Sequence, residues 1–321
     1  MNLLVVVLSS QLLYYLLIAQ TGVVGAFHSE IHALYTLPIG GTLGAVLSMA
    51  WRHHGIRQEL CYLFGIQMII SWVYPDYSLG MLLVLGFVIG YTTPLLLFLF
   101  HNQSKTSLAY GLAIAYLLGT ALYSYPFEER GWIAVLLPLV SVAGLRYSAV
   151  PVPQQAQEGV FEWKAVAVMM FWIFADSALF ETLSRTEGMD IWNHYTAVIV
   201  ASHMVGVFWA YRQKGELLSQ SYLIWGMFAF SYLLYRLEEP LLLAIVYPVV
   251  ISYYNVMVFQ ALIRMGDIRL IGLSMIGIGW LATSAANVVA LTHRIWVAEV
   301  LLGIFILIYS LYRRKQWVQN G

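Results

Sequence analysis

The sequence predicts an all-α integral membrane protein of about twelve transmembrane helices, arranged as two pseudo-symmetric six-helix bundles. Three observations carry this. Of 321 residues, 61% are hydrophobic and only 10% are charged, against about 25% charged in soluble domains. Apolar runs recur close to the ~20 residues that a helix needs to cross a bilayer. The second half of the chain also repeats features of the first at a nearly constant offset. Mean hydropathy is +0.76, which excludes a disordered chain, because low hydrophobicity with high net charge is what keeps a chain unfolded. A disulfide scaffold is excluded by a single cysteine, Cys61. Sixteen basic residues cancel sixteen acidic ones, so no global field draws in nucleic acid.

The apolar runs do not alternate, which argues for helices and against a membrane β-barrel. Spans are expected at 3–26, 32–51, 58–74, 78–100, 107–124 and 131–147, then at 163–184, 193–211, 219–235, 240–263, 268–290 and 294–312. Polar breaks separate them: Arg52 to Arg57, Pro75-Asp76, Asn102 to Lys105, Glu128 to Arg130, and Glu238 to Pro240. The longest break, VPVPQQAQEG, divides an N-terminal bundle (1–150) from a C-terminal one (163–321), with 151–162 as a cytoplasmic linker. The first span has neither a basic leader nor a small-residue cleavage site and is read as a retained crossing.

Orientation follows from lysine and arginine. With the N-terminus inside, Arg52, Arg57, Lys105, Arg146, Lys164, Arg212, Lys214, Arg264, Arg269, Arg313, Arg314 and Lys315 fall on the cytoplasmic side. Only Arg130, Arg185, Arg236 and Arg294 fall outside. Both termini are therefore expected in the cytoplasm, and a bacterial inner membrane is the expected location.

The halves read as copies. Ala50-Trp51-Arg52-His53-His54-Gly55 and Ala210-Tyr211-Arg212-Gln213-Lys214-Gly215 both read A-[WY]-R-x-x-G at an offset of 160. Gly90-Tyr91-Thr92-Thr93 falls opposite Ser252-Tyr253-Tyr254-Asn255 at 162, and Gly111-Leu112 opposite Gly272-Leu273 at 161. Here the chain resembles the major facilitator superfamily, over essentially its whole length in topology and over few residues in motif. Of the family's Gly-x-x-x-Asp-Arg-x-Gly-Arg-Arg stretch between helices two and three, Gly55 and Arg57 fit. Arg52 stands where the acid would be, and Ser48 where the first glycine would be. The Gly-Pro motif of drug/proton antiporters is missing from the fifth span, SLAYGLAIAYLLGTALYSYP. The resemblance implies a secondary active transporter and not an enzyme: two bundles rock about a solute held near the midplane.

An ionisable group at membrane depth is costly and usually has a partner or a task. Asp176 lies in the middle third of the seventh span with no basic residue within a turn, which makes it the candidate coupling site for a proton or cation. Gln20 and Thr21 hold the equivalent place in the first span, and Ser177 is its neighbour. Glu181 and Arg185, at i and i+4, share one helix face and read as a salt bridge or an outer gate. Glu299 sits about one turn into the twelfth span, where a long side chain can snorkel to the surface. In the resembled family helices one, four, seven and ten face the central cavity. That implies Tyr91, Thr92 and Thr93 opposite Tyr253, Tyr254 and Asn255, a set suited to a small polar or zwitterionic solute. Gly40, Gly44, Gly272 and Gly277 read as close-packing positions.

The partners expected are the bilayer, a small solute, and protons or cations, acting on a monomer without a cofactor. Two alternatives remain. A transition-metal or metal-chelate transporter would draw on His28 and His32, whose i, i+4 spacing can place two imidazoles on one metal, and on His203. The Met-x-x-x-Met and His-x-x-x-Met pairs of the family's copper-carrying branch are absent: Val207 follows His203, and Phe174 follows Met170, four residues on. A membrane-embedded haem or metal redox or assembly protein is the alternative of another class, although no C-x-x-C-H motif exists. No P-loop is present for ATP-driven transport.

Overall fold

A computed structural model describes residues 2–27, 34–148, 161–186, 188–213 and 217–320, with side chains as far as residue 311. Helices make up most of these residues, and no strand occurs among them. The long helices are α1 (Leu3–Ala26), α2 (Thr36–Ala50), α3 (Ile56–Ser71), α4 (Leu79–Leu99), α5 (Lys105–Tyr123) and α6 (Gly131–Tyr147). After them come α7 (Trp163–Leu183), α8 (Thr196–Arg212), α9 (Leu217–Arg236), α10 (Pro240–Met265), α11 (Ile268–Leu291) and α12 (Trp296–Asn320). A 3-10 turn, Phe127–Arg130, precedes α6, and a single α-turn, Ile191–His194, precedes α8.

Seven of these helices, α1, α4, α5, α7, α9, α10 and α11, are long and apolar enough to cross a membrane. The protein is an integral membrane protein. Helix α2, with 15 residues, extends about 22 Å at 1.5 Å per residue, short of the ~30 Å hydrocarbon core.

Helix ends fall where the sequence provides caps. The Ser78 hydroxyl accepts from the Met81 amide at 3.3 Å, and the Ser104 hydroxyl from the Ser107 amide at 3.1 Å. Each satisfies a donor that the first turn leaves free. Gly266 closes α10 in the left-handed region at φ 61°, a conformation that costs glycine least. Asp267 then caps α11, its carboxylate accepting from the Arg269 amide at 2.7 Å.

Two helices depart from regular α geometry. Helix α1 is π-helical over Tyr15–Gln20, and α11 over Ile276–Ala282. Such widened turns free backbone carbonyls and are frequent at functional sites.

Glycine sets the closest crossing. Helices α2 and α4 lie so near that a Cβ on Gly40 or Gly44 would meet the Leu83 or Phe87 carbonyl oxygen at 2.0 and 2.1 Å. In the other direction, a Cβ on Gly86 or Gly90 would meet the Leu37 or Gly41 carbonyl oxygen at 2.0 and 1.9 Å. Backbones this close gain dispersion contacts, the main attraction left between helices in lipid. Helix α8 approaches α10 in the same way, with Gly206 against the Val249 carbonyl oxygen at 2.5 Å. Gly272 abuts Met49, and Gly277 abuts Met170. Helix α1 packs on α5 and α6, α7 on α11, α2 against α11, and α5 against α8. The opposite face of α2 presents Ile39, Leu43 and Val46 outward, at the spacing of one helix face.

Candidate functional site

The helices enclose a cavity of about 220 Å³ between α1, α4, α5, α7, α10 and α11. Its size is below the 300–1,000 Å³ typical of drug-sized ligands. The walls are mostly aliphatic and aromatic. Polar groups converge from Gln20 and Thr21 on α1, Thr92 and Thr93 on α4, Tyr116 and Thr120 on α5, and Asp176 and Ser177 on α7. His203 comes from α8, Tyr254 and Asn255 from α10, and Thr283 from α11.

Asp176 is the one carboxylate among the described lining residues. Two tyrosines of α10 hold it: Tyr247 donates to Oδ1 at 2.7 Å, and Tyr254 to Oδ2 at 2.5 Å. Tyr247 also donates to the Asp176 backbone carbonyl at 2.8 Å. The two tyrosines are seven residues apart, two turns on one helix face, so α10 grips α7 at one point. Among the described residues no lysine, arginine or histidine forms an ion pair with Asp176.

The threonines are oriented by their own helices. Thr92 donates to the Val88 carbonyl at 2.8 Å, and Thr93 to the Ile89 carbonyl at 2.8 Å. Their hydroxyl protons are thereby used, and lone pairs remain for the cavity. Thr21 donates to the Leu16 carbonyl at 2.8 Å. Asn255 lies against the Tyr116 and Tyr254 hydroxyls. The carboxylate and the threonine oxygens together present acceptors to whatever fills the space.

His203 is buried, with Nδ1 at 2.6 Å from the Ser252 hydroxyl and its ring stacked on Tyr116 at 4.5 Å and 7°. That stack joins α5 to α8 across the cavity wall. Among the described residues no group of three or more histidine, cysteine, aspartate or glutamate side chains could hold a metal. His28 and His32 lie outside the described residues.

Two expected residues do not line the cavity. The Tyr91 hydroxyl donates to Glu59 at 3.4 Å, and the Tyr253 hydroxyl to Gln220 at 2.8 Å. Each precedes a lining residue, Thr92 or Tyr254, and a helix turns about 100° per residue. Glu181, next to the lining residue Phe180, and Arg185, one turn further on, stand off the cavity. They form the i, i+4 ion pair at 3.3 Å, with Glu181 buried and its Oε1 without a partner among the described residues.

Phe180, Trp192 and Tyr123 close that end of the cavity. The rings of Phe180 and Trp192 meet edge-on at 4.7 Å, and Tyr123 lies 6.0 Å from Trp192. At the far end His101 Nδ1–H donates to the Ile263 carbonyl at 2.7 Å, which ties α4 to α10. Lys105 donates to the Gln213 carbonyl at 2.7 Å, which ties α5 to α8.

Arg130, placed by the sequence only as an outer charge, is buried beside the cavity-lining residues Leu17, Thr21 and Tyr123. It is 4% exposed. Its guanidinium donates to the Leu17 carbonyl at 3.0 Å, Thr21 Oγ1 at 2.8 Å, the Tyr123 carbonyl at 2.8 Å and the Tyr125 carbonyl at 2.9 Å. Leu17 belongs to the π segment of α1, so Arg130 ties that segment to the turn before α6. Burial holds its pKa below the ordinary arginine value, opposed by Tyr74, Tyr123 and Glu128. Glu299 accepts from two guanidinium nitrogens of Arg236, Nε and Nη2, at 2.6 and 2.8 Å in an exposed pair that pins α12 to α9. No signal in the sequence marks the bonds of Arg130 to Leu17 and Thr21 or of Glu299 to Arg236, since these partners come from distant segments.

No protein-family model matches the chain, and no curated protein matches it in sequence. Solved structures do match in fold. A human organic anion transporter superposes with a TM-score of 0.63 at 12% identity, covering 96% of each chain. The fucose:proton symporter of E. coli gives 0.62 at 14% identity, covering 97% of each. A D-xylose–proton symporter gives 0.61 at 13% identity, covering 96% of each. The chain shares the overall fold of these three solved transporters.

Proposed function

We propose that the protein is a secondary active transporter for a small polar or zwitterionic solute, coupled to protons through Asp176. The observation that carries this reading is a lone cavity carboxylate gripped by two tyrosines of another helix. A proton arriving at Asp176 removes the charge that both hydroxyls address. That changes how firmly α7 holds α10, and a coupling ion must act on such a difference between two states. The acceptor-rich walls favour a solute rich in donors, such as a polyol, a sugar or an ammonium-bearing zwitterion.

The twelve long helices are read as twelve crossings in two related halves, 1–150 and 163–321, with both termini in the cytoplasm of a bacterial inner membrane. The packing supports the relation. Gly44 against Phe87 and Gly206 against Val249 are the same contact, both partners shifted by 162 residues. The bond from His101 to Ile263 joins positions 162 residues apart. Contacts of α2 with α11 and of α5 with α8 stand in the same relation.

Uptake into proteoliposomes under an imposed pH gradient tests the reading, across a panel of labelled pentoses, hexoses, amino acids and carboxylates. Accumulation of one class above protein-free vesicles is expected. If no member moves, with or without the gradient, the transport reading fails.

A further inference from the structure

A second, smaller space of about 50 Å³ lies between α1, α2 and α11. A cavity needs only about 10–15 Å³ on this scale to hold a water, so it has room for several. It is lined on its polar side by Gln20, Thr283, Ser284 and Asn287. The Asn287 carbonyl oxygen is buried and has no partner among the described residues, and a buried acceptor left unpaired is costly unless water or a ligand reaches it.

The two spaces share a wall. Tyr15, Gln20, Trp280 and Thr283 line both. Tyr15 and Gln20 belong to the π segment of α1, and Trp280 to that of α11. The irregular turns of the two helices therefore meet at the partition. Trp280 lies flat over Gly41 of α2, where an added Cβ would stand 2.1 Å from the ring. The other way out at this end is filled by Phe180, Trp192 and Tyr123, in ring-to-ring contact.

We infer that the central cavity communicates with the outer face through this side chamber between α1, α2 and α11, with Trp280 as the door, and not through the aromatic plug at Phe180 and Trp192. Gln20, Thr283, Ser284 and Asn287 form a polar ledge on which a hydrated solute waits before Trp280 moves. Rotation of the indole off Gly41 joins the two spaces without moving Asp176 or its tyrosines. The inference deepens the transport reading by assigning the path to the same cavity.

The test reads access and needs no solute. In a Cys61→Ser background, a Thr93→Cys protein in intact cells is exposed to a membrane-impermeant sulfonatoethyl methanethiosulfonate. Filling the chamber by Asn287→Trp or Ser284→Trp is expected to slow labelling by about tenfold or more, since an indole occupies most of a space this size. Opening the door by Trp280→Ala is expected to speed it, and this variant keeps the test decisive should the filled proteins fail to fold. Trp192→Ala, which thins the aromatic plug, is expected to leave the rate unchanged. Equal rates in the parent and Trp280→Ala proteins, acceleration by Trp192→Ala alone, or no labelling of the parent would each overturn the inference. A protein that labels as expected but carries no solute would instead sink the transport reading and leave the route standing.

Discussion

At the scale of single residues, two ionisable groups are held in opposite ways. Asp176 lies beside an open space, where a proton or solute can reach it. Arg130 spends its donors on backbone carbonyls and one hydroxyl, which fixes the π segment of α1 and the end of α5 that together form the cavity rim. Hydrogen bonds to charged groups are worth about 1.5–3 kcal/mol each, so Tyr247→Phe and Tyr254→Phe should each destabilise the detergent-solubilised protein by about that amount. Thermal unfolding followed by tryptophan fluorescence checks it; an unchanged midpoint in both would mean that the grip on α7 is weak. Arg130→Lys should destabilise more than a surface change would, by about 2–4 kcal/mol, because an ammonium cannot reach four diverging acceptors and leaves buried carbonyls unpaired. Asp176 was legible in the sequence, since an acid amid apolar residues stands out. Its two tyrosines were only half legible: Tyr254 was expected at the cavity, whereas Tyr247 sits two turns away in a run that looks merely apolar.

Helices set what a sequence reader can see and what stays hidden. Their existence follows from run length, and caps such as Ser78, Ser104 and Asp267 mark their starts. Their rotation does not follow. In an amphipathic helix of a soluble protein the polar stripe gives the facing, but here lipid-facing and core-facing sides are equally apolar. Tyr91 and Tyr253 were therefore expected beside Thr92 and Tyr254, yet each points 100° away, to Glu59 and Gln220. The π segments were equally hidden, because YLLIAQ and IGIGWLA carry no local signature of a widened turn. Glycine spacing was the better guide: Gly40 and Gly44 were expected at a close contact, and they make one with α4. Gly90→Ala places a methyl group 1.9 Å from the Gly41 carbonyl oxygen, so the α2–α4 crossing must open. A loss of about 2 kcal/mol or more is expected, within the range for overpacked sites. Gly226→Ala, with nothing within 4 Å of its added Cβ, should be neutral or stabilise by up to about 1 kcal/mol from helix propensity. Equal midpoints for the two variants would contradict the crossing as described.

On the scale of the whole molecule, several close contacts recur at one offset along the chain. Offsets near 161 in the sequence reappear as equivalent contacts in space, with Gly44 and Gly206 as the plainest pair. Function is not symmetric in the same way. Among the described lining residues the one carboxylate, Asp176, comes from α7, whereas α1 and α4 offer the neutral groups of Gln20, Thr21, Thr92 and Thr93. Solute identity was not legible at any scale, because acceptors such as Thr92, Thr93 and Asn255 fit many donors.

The central claim is that Asp176 couples solute movement to protons, and one comparison of two fluxes tests it most directly. In proteoliposomes, solute exchange without a gradient reads passage through the cavity, and accumulation under a pH gradient reads coupling. The Asp176→Asn protein is expected to retain exchange and to lose pH-driven accumulation. Accumulation by that protein equal to that of the parent would contradict the account.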